Sequence, residues 1–219
     1  MEETMRELQI FLRGDLGQLI TFIVAALLFF IIVGRMFKKM ELNIRSMTYA
    51  GLAMSVAFLL SFLTLFTMPG GMGGSVTPMS MFFVTLIGFM FGPVVGVVSA
   101  VAYGLLQLVQ RATVVHPIQL LLDYPMAFGA LGLSGFFWKM KHGLYIGFVV
   151  AVIGRWVMHT VSGVVFFGQF AFDGWHPLPF SMVYNGTYIF PEMVITLIIL
   201  AIPPVRHAIE RVRAEANKQ

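Results

Sequence analysis

Four ionisable side chains stand inside long apolar stretches of this chain: Asp123, Arg155, His159 and Glu192. An ionised group near the middle of a bilayer costs roughly 2.5–3.5 kcal/mol on insertion scales, so each needs a partner or a task. Asp123 is followed by Tyr124 and Pro125 within LLLDYPMAFGALGLSG, residues 120–135. Proline has no N–H, so the carbonyl of Leu121, one turn earlier, loses its helical partner beside the acid. A carboxylate, a phenol and a freed carbonyl in one turn make a candidate polar site inside an apolar helix. Arg155 and His159 are four apart and share a helix face, which Ser162 and Gly163 extend. Asn185, Tyr188 and Glu192, spaced three and four apart, form another. Such faces should turn into a bundle rather than toward lipid.

With His159 neutral, the four groups carry one net negative charge. An isolated charge in a low-dielectric site is unfavourable until a counter-charge arrives. A monocationic ligand would supply it. Alternatively, Arg155 pairs with one acid and the other is protonated. Other chemistry is excluded more firmly. No Ser/His/Asp grouping is placed for nucleophilic attack, so no catalytic residue is assigned. No second His or Cys lies at ligand spacing from His159, so no metal site is expected. GGMGG, within residues 68–78, lacks the Lys and Ser/Thr of a nucleotide-cradling loop. No cofactor is expected, and any ATP-driven work belongs to another chain. The absence of cysteine excludes disulfides.

The elements that must position these residues are membrane helices. Of 219 residues, 58% are hydrophobic and 11% charged, where a soluble domain carries about 25% charged. The apolar segments predict an all-α polytopic bundle of seven spans. These cover Leu16 to Val33, Met47 to Thr67, Met79 to Phe91 and, after the Gly92-Pro93 turn, a segment to Gln110. A fifth contains the 120–135 stretch and ends near Trp138, and the last two are Leu144 to Phe167 and Ser181 to Ile202. MPGGMGGSVTP, residues 68–78, reads as a loop, and Pro203-Pro204 stops the last span before a charged tail. Residues 1–44 form a lead, an extra helix and a basic loop; 45–205 form the main membrane domain; 206–219 form the tail.

Ten Lys or Arg fall on one side of this arrangement, at residues 35–45, at Lys139 and Lys141, and in the tail; only Arg6, Arg13 and Arg111 fall on the other. The positive-inside rule places the ten in the cytoplasm, the N-terminus outside and the C-terminus inside. Nucleic-acid binding is not indicated, since the charges follow topology. His116 and His176 fall in loops and are expected to be solvated. Phe166, Phe167, Phe170, Phe172, Trp175 and Phe180 surround the last connection. They suit an interfacial aromatic belt or a stacking wall for a flat, cationic heterocycle. Ala53 and Ala57 make a small-residue helix face for internal packing or a partner membrane protein.

Three ordered segments carry a family resemblance: LLDYPMAFGALGLSG, then HTVSGVVFFGQFAFDGW, then FSMVYNG. The chain, over about Arg45 to Pro204, resembles the thiamine-specific substrate-binding subunits, or S-components, of energy-coupling factor transporters (the ThiT/YuaJ family). The resemblance implies a six-helix S-component core that binds extracellular thiamine in a bacterial cell membrane. It works there with a transmembrane coupling protein and two ATPase subunits. It puts the site acid at Asp123 with Tyr124 beside it, the site His at His159, ring positions at Phe167 and Phe180, and the site Asn at Asn185. Tyr103, Arg155, Tyr188 and Glu192 become supporting positions or further ligand contacts, with Arg155 and Glu192 expected as an ion pair. Ala53 and Ala57 match the family's docking face for the coupling protein. Asp123 is one methylene shorter than the family's usual Glu, and Phe167 and Phe180 replace Trp and Tyr. The first helix, Leu16 to Val33, has no counterpart in the six-helix core. Competing readings are an S-component for a related pyrimidine or another cationic vitamin, an intramembrane enzyme using Asp123 and His159 as acid and base, and a structural or assembly subunit.

Overall fold

A computed structural model describes residues 43–69 and 73–218, with scattered positions between 14 and 35. The expected first helix over Leu16 to Val33 and most of the basic loop after it lie outside the described residues. The main domain follows as six apolar helices and a seventh, amphipathic one.

Helix α1 covers Ile44–Phe62, and the Asn43 side chain caps it by accepting the Ser46 N–H at 2.7 Å. It stops five residues before the expected end. Phe66–Thr67 (β1) instead pairs antiparallel with Ser75–Val76 (β2), Phe66 opposite Val76 and Thr67 opposite Ser75. Thr64, Phe66, Thr67 and Val76 favour extended backbone, and Gly73 takes a positive φ of 87° just before β2. The expected loop is therefore a short hairpin.

Helix α2 covers Ser80–Phe91 and α3 covers Pro93–Arg111, joined at Gly92, with Pro93 at the first helical position. Helix α4 spans Pro117–Phe137. It is composite: an α-turn Pro117–Leu121, a π-turn Leu122–Met126, an α-turn Ala127–Gly129 and a 3₁₀ stretch Ala130–Phe137. Helix α5 covers Gly143–Phe166 and α6 covers Pro177–Ala201. Five of these helices are long and apolar enough to cross a membrane; α2 is shorter. Within its most apolar window α4 is 67% buried and α1 only 22%, so α4 is the axis around which α2, α3 and α5 pack. The core between them contains Val84, Ala100, Leu131, Phe148 and Val152.

The charged tail is a helix, α7, Pro203–Ala216. Pro203 and Pro204 end α6 but are well tolerated in a first helical turn. Ile209 and Ala216 are buried. The Arg213 guanidinium lies 4.1 Å from the centre of the Phe89 ring and donates to the Trp138 carbonyl. Asn217 donates to the Met90 carbonyl at 3.2 Å. The C-terminal ends of α2 and α4, rich in unpartnered carbonyls, thus receive donors from α7.

The small-residue face of α1 packs internally. Ala57 has no exposed surface, and its carbonyl accepts from the Tyr103 hydroxyl at 3.1 Å. Ala53 packs beside the buried cluster of Ala50, Ile87 and Val95. Ala57 is therefore covered within the bundle, while Ala53 is half-buried.

Candidate functional site

A cavity of about 380 Å³ opens at the hairpin end of the bundle, between α1, α3, α4, α5 and α6. Ligand pockets usually measure about 300–1,000 Å³. Asp123, Tyr124, His159, Phe167, Phe180 and Asn185 all line it, and so do Tyr103, Arg155, Tyr188 and Glu192. All ten side chains singled out in the sequence thus meet in one place, though several do different work from that expected.

Pro125 sets the local geometry of the acid. The chain widens into a π-turn, and the Ala127 N–H donates to the Leu122 carbonyl five residues back. Such single π-turns absorb a helical irregularity without breaking the helix. Gly104 of α3 lets this turn approach closely, because a Cβ there would overlap the Tyr124 carbonyl. The Tyr124 hydroxyl accepts from the Thr113 N–H at 2.8 Å, which fixes its ring against the α3–α4 connection.

Asp123 has two partners. Its Oδ2 accepts from Gln119 Nε2 at 2.6 Å, and its Oδ1 lies 3.0 Å from His159 Nδ1. Gln119 is buried and also binds the Val115 N–H and the Thr113 carbonyl, each at 3.0 Å. On the far side of the imidazole, Arg155 Nε donates to His159 Nε2 at 3.3 Å. An Nε2 that accepts places the ring proton on Nδ1, so His159 is a neutral donor to Asp123. The Arg155 guanidinium also lies over Phe128, 4.1 Å from the ring centre.

The expected Arg155–Glu192 ion pair is not formed among the described residues. Glu192 accepts instead from the Thr77 N–H (3.3 Å), the Thr77 hydroxyl (2.7 Å), the Ser80 hydroxyl (3.1 Å) and the Met81 N–H (2.9 Å). Met79, at the start of α2, has φ 64 and offers no side-chain cap. A carboxylate from α6 thus takes the capping place, where the helix dipole favours negative charge.

Asn185 is also committed within the protein. Its amide nitrogen donates to the His159 carbonyl at 3.2 Å and the Ser181 carbonyl at 2.8 Å, and its Oδ1 accepts from the Tyr188 hydroxyl at 2.7 Å. It ties α5 to α6 and leaves one acceptor position on Oδ1. Gly163 permits this approach, since a Cβ there would overlap Ser181.

The aromatic segment divides. Phe167 and Phe180 line the cavity. Phe180 stacks on Tyr184 at 6.0 Å and meets Phe172 edge-on at 5.4 Å. Phe170, Phe172 and Trp175 are exposed, as an interfacial belt would be. Phe166 stacks on His116 at 5.3 Å, and His116 also accepts the Ile118 N–H to cap α4. His116, expected in a solvated loop, is half-buried at this cap. His176 likewise accepts from the Leu178 N–H, at 3.3 Å.

Sequence reasoning missed Gln119, Phe128, Tyr184 and the Thr77/Ser80 pair. Gln119 is one helical turn from Asp123, and Tyr184 lies four from both Phe180 and Tyr188, so helical spacing held a signal for both. Nothing local points to Thr77, which lies 115 residues from Glu192. No group of three or more His, Cys, Asp or Glu that would hold a metal ion is found among the described residues.

Residues 47–210 match the family model described as thiamine transporter protein (Thia_YuaJ). The chain belongs to this family. The thiamine transporter ThiT of Bacillus subtilis (strain 168) is 40% identical over 144 residues, covering 59% of this chain and 74% of that protein. ThiT of Lacticaseibacillus paracasei is 27% identical over 117 residues, covering 46% and 58%. A solved structure of ThiT from Listeria monocytogenes superposes with a TM-score of 0.62 at 25% identity, covering 73% of this chain and 94% of that one. All three matches agree with a multi-pass, all-helical membrane protein of the Thia_YuaJ family. The π-turn at Asp123 and the Arg155–His159–Asp123 series lie within the segment that matches this family.

Proposed function

We propose that this chain is the thiamine-binding membrane subunit of an energy-coupled uptake system. The observation that carries the reading is one cavity in which a carboxylate, its paired imidazole and aromatic rings converge on a family-matched fold. Thiamine joins an aminopyrimidine to a cationic thiazolium. Asp123 is the acceptor for the aminopyrimidine edge and the negative charge for the cation; His159 and Gln119 hold it in place. Phe167, Tyr124 and Phe180 supply ring faces, which attract a cation by about 0.5–2 kcal/mol according to desolvation. Asn185 and Tyr188 set the wall that joins α5 to α6, with Asn185 Oδ1 left for a ligand donor.

The cavity mouth faces the outside of a bacterial cell membrane, and the Lys/Arg-rich end, including α7, faces the cytoplasm. Binding needs no cofactor in this chain. In this reading a separate transmembrane coupling protein and two ATPase subunits drive transport, as the resemblance to S-components implies, since this sequence carries no nucleotide-cradling segment of its own. The names of the curated relatives, both thiamine transporters, support transport over chemistry at Asp123 and His159. Cells lacking other thiamine uptake, and expressing this chain with a coupling module, are expected to accumulate labelled thiamine only while the ATPases are active. Undiminished accumulation with inactive ATPases would remove the coupled reading.

A further inference from the structure

The end of the bundle opposite the cavity carries positive charge that ligand binding does not use. The turn between α4 and α5, residues 139–142, and residues 203–218 hold six Lys or Arg against two acids, Glu210 and Glu215. Both acids are already engaged, Glu210 with Arg206 and Glu215 with Lys218. Among the described residues no carboxylate pairs with Lys139, Lys141, Arg211 or Arg213. Two of these cations meet at Trp138. Lys139 lies over the indole, its Nζ 4.9 Å from the ring centre, and Arg213 donates to the Trp138 carbonyl while resting on Phe89. The indole is held in turn against the α2–α3 junction, where a Cβ at Gly92 would come within 3.5 Å of it. Arg213 is half-buried there, and a carbonyl and a ring face offer it only partial charges. A partly desolvated cation without a counter-charge is unfavourable until an anion arrives.

The same corner has an apolar side. Phe136 and Met140, one helical turn apart, are exposed beside the exposed Lys139 and Lys141, and on α7 Val212 is exposed beside Arg211. Five helices of this chain are long and apolar enough to cross a membrane. At the end of such a helix, Phe and Met reach acyl chains, while Trp sits at the interface and lysines extend to the headgroups. We propose that the junction of α4, α5 and α7 binds an anionic phospholipid, with Lys139, Lys141 and Arg213 on its headgroup phosphate and Phe136 and Met140 against its acyl chains. A soluble phosphate would meet the cations but leave that apolar side uncovered, so the lipid is the ligand that matches both.

Quenching of Trp138 by brominated lipids tests this. The chain has three tryptophans, so Trp156→Phe with Trp175→Phe leaves Trp138 as the sole indole. In phosphatidylcholine vesicles holding the purified full chain, a small fraction of phosphatidylglycerol brominated in its acyl chains should quench Trp138 more than the same fraction of brominated phosphatidylcholine. Lys139→Ala and Lys141→Ala should each lower the relative affinity for phosphatidylglycerol about fivefold, with thermal unfolding unchanged. Arg213→Gln should also lower it; because Arg213 braces α7 as well, the two lysine variants carry the test should it fail to fold. Inorganic phosphate in the buffer should leave the quenching unchanged. Equal quenching by the two lipids, a preference kept in both lysine variants, or displacement of the lipid by inorganic phosphate would overturn the proposal.

Discussion

His159 receives Arg155 on one ring nitrogen and donates to Asp123 from the other, while Gln119 holds the second carboxylate oxygen. Each residue in this series fixes its neighbour's direction, which limits reorganisation when a ligand arrives. The ring faces are set less favourably. Phe167 offers a smaller and less electron-rich face than Trp, and cation–π attraction is strongest at Trp. Phe167→Trp is expected to tighten thiamine binding by about 0.5–1 kcal/mol, roughly two- to fivefold, in a calorimetric titration. Unchanged or weaker binding would place the cation elsewhere in the cavity. At this scale the sequence was informative, because an acid or a histidine in an apolar helix is conspicuous. Roles were less legible. Asn185 and Glu192 were found by residue type; helical spacing reaches Ser181 and Tyr188 beside Asn185, but neither its His159 partner on α5 nor the Thr77, Ser80 and Met81 donors to Glu192.

The elements holding the site are joined by two devices. One is the π-turn of α4, which accommodates Pro125 and sets Asp123 against His159. The sequence showed the missing donor at Pro125 but not how the backbone would absorb it. The other is Glu192, which caps α2 from α6 and pins Thr77 at the end of the hairpin. Removing it leaves two N–H groups and two hydroxyls without that acceptor, at about 1–3 kcal/mol for each group left buried and unsatisfied. Glu192→Ala is therefore expected to lower the thermal unfolding midpoint by several degrees in detergent, with Glu192→Gln intermediate. An unshifted Glu192→Ala would deny the cap its structural role. The hairpin and α7 were both hidden in the sequence, for different reasons. Two-residue strands are too short to show alternation. A charged segment after two prolines gives a stop signal even when, as in α7, it starts a new helix.

For the whole molecule, hydropathy and Lys/Arg placement gave the class, the six apolar helices of the described part but not α7, and two chemically different ends. The cavity opens at the end opposite Lys139, Lys141 and α7. Because the chain has no cysteine, single substitutions report sidedness cleanly. On intact cells a membrane-impermeant maleimide should label Asp173→Cys, in the connection before α6, and should reach Lys141→Cys only after permeabilisation. The reverse pattern would turn the cavity mouth inward. The central claim is that this end of the bundle holds a thiamine cation on Asp123. It is tested most directly by calorimetric titration of thiamine into purified wild type and Asp123→Asn, both shown folded by thermal unfolding. The account predicts saturable one-to-one binding by the wild type and an affinity lower by about 1.5–3 kcal/mol, roughly ten- to a hundredfold, in the variant. Equal affinities for the two proteins, or no binding to folded wild type at micromolar thiamine, would contradict it.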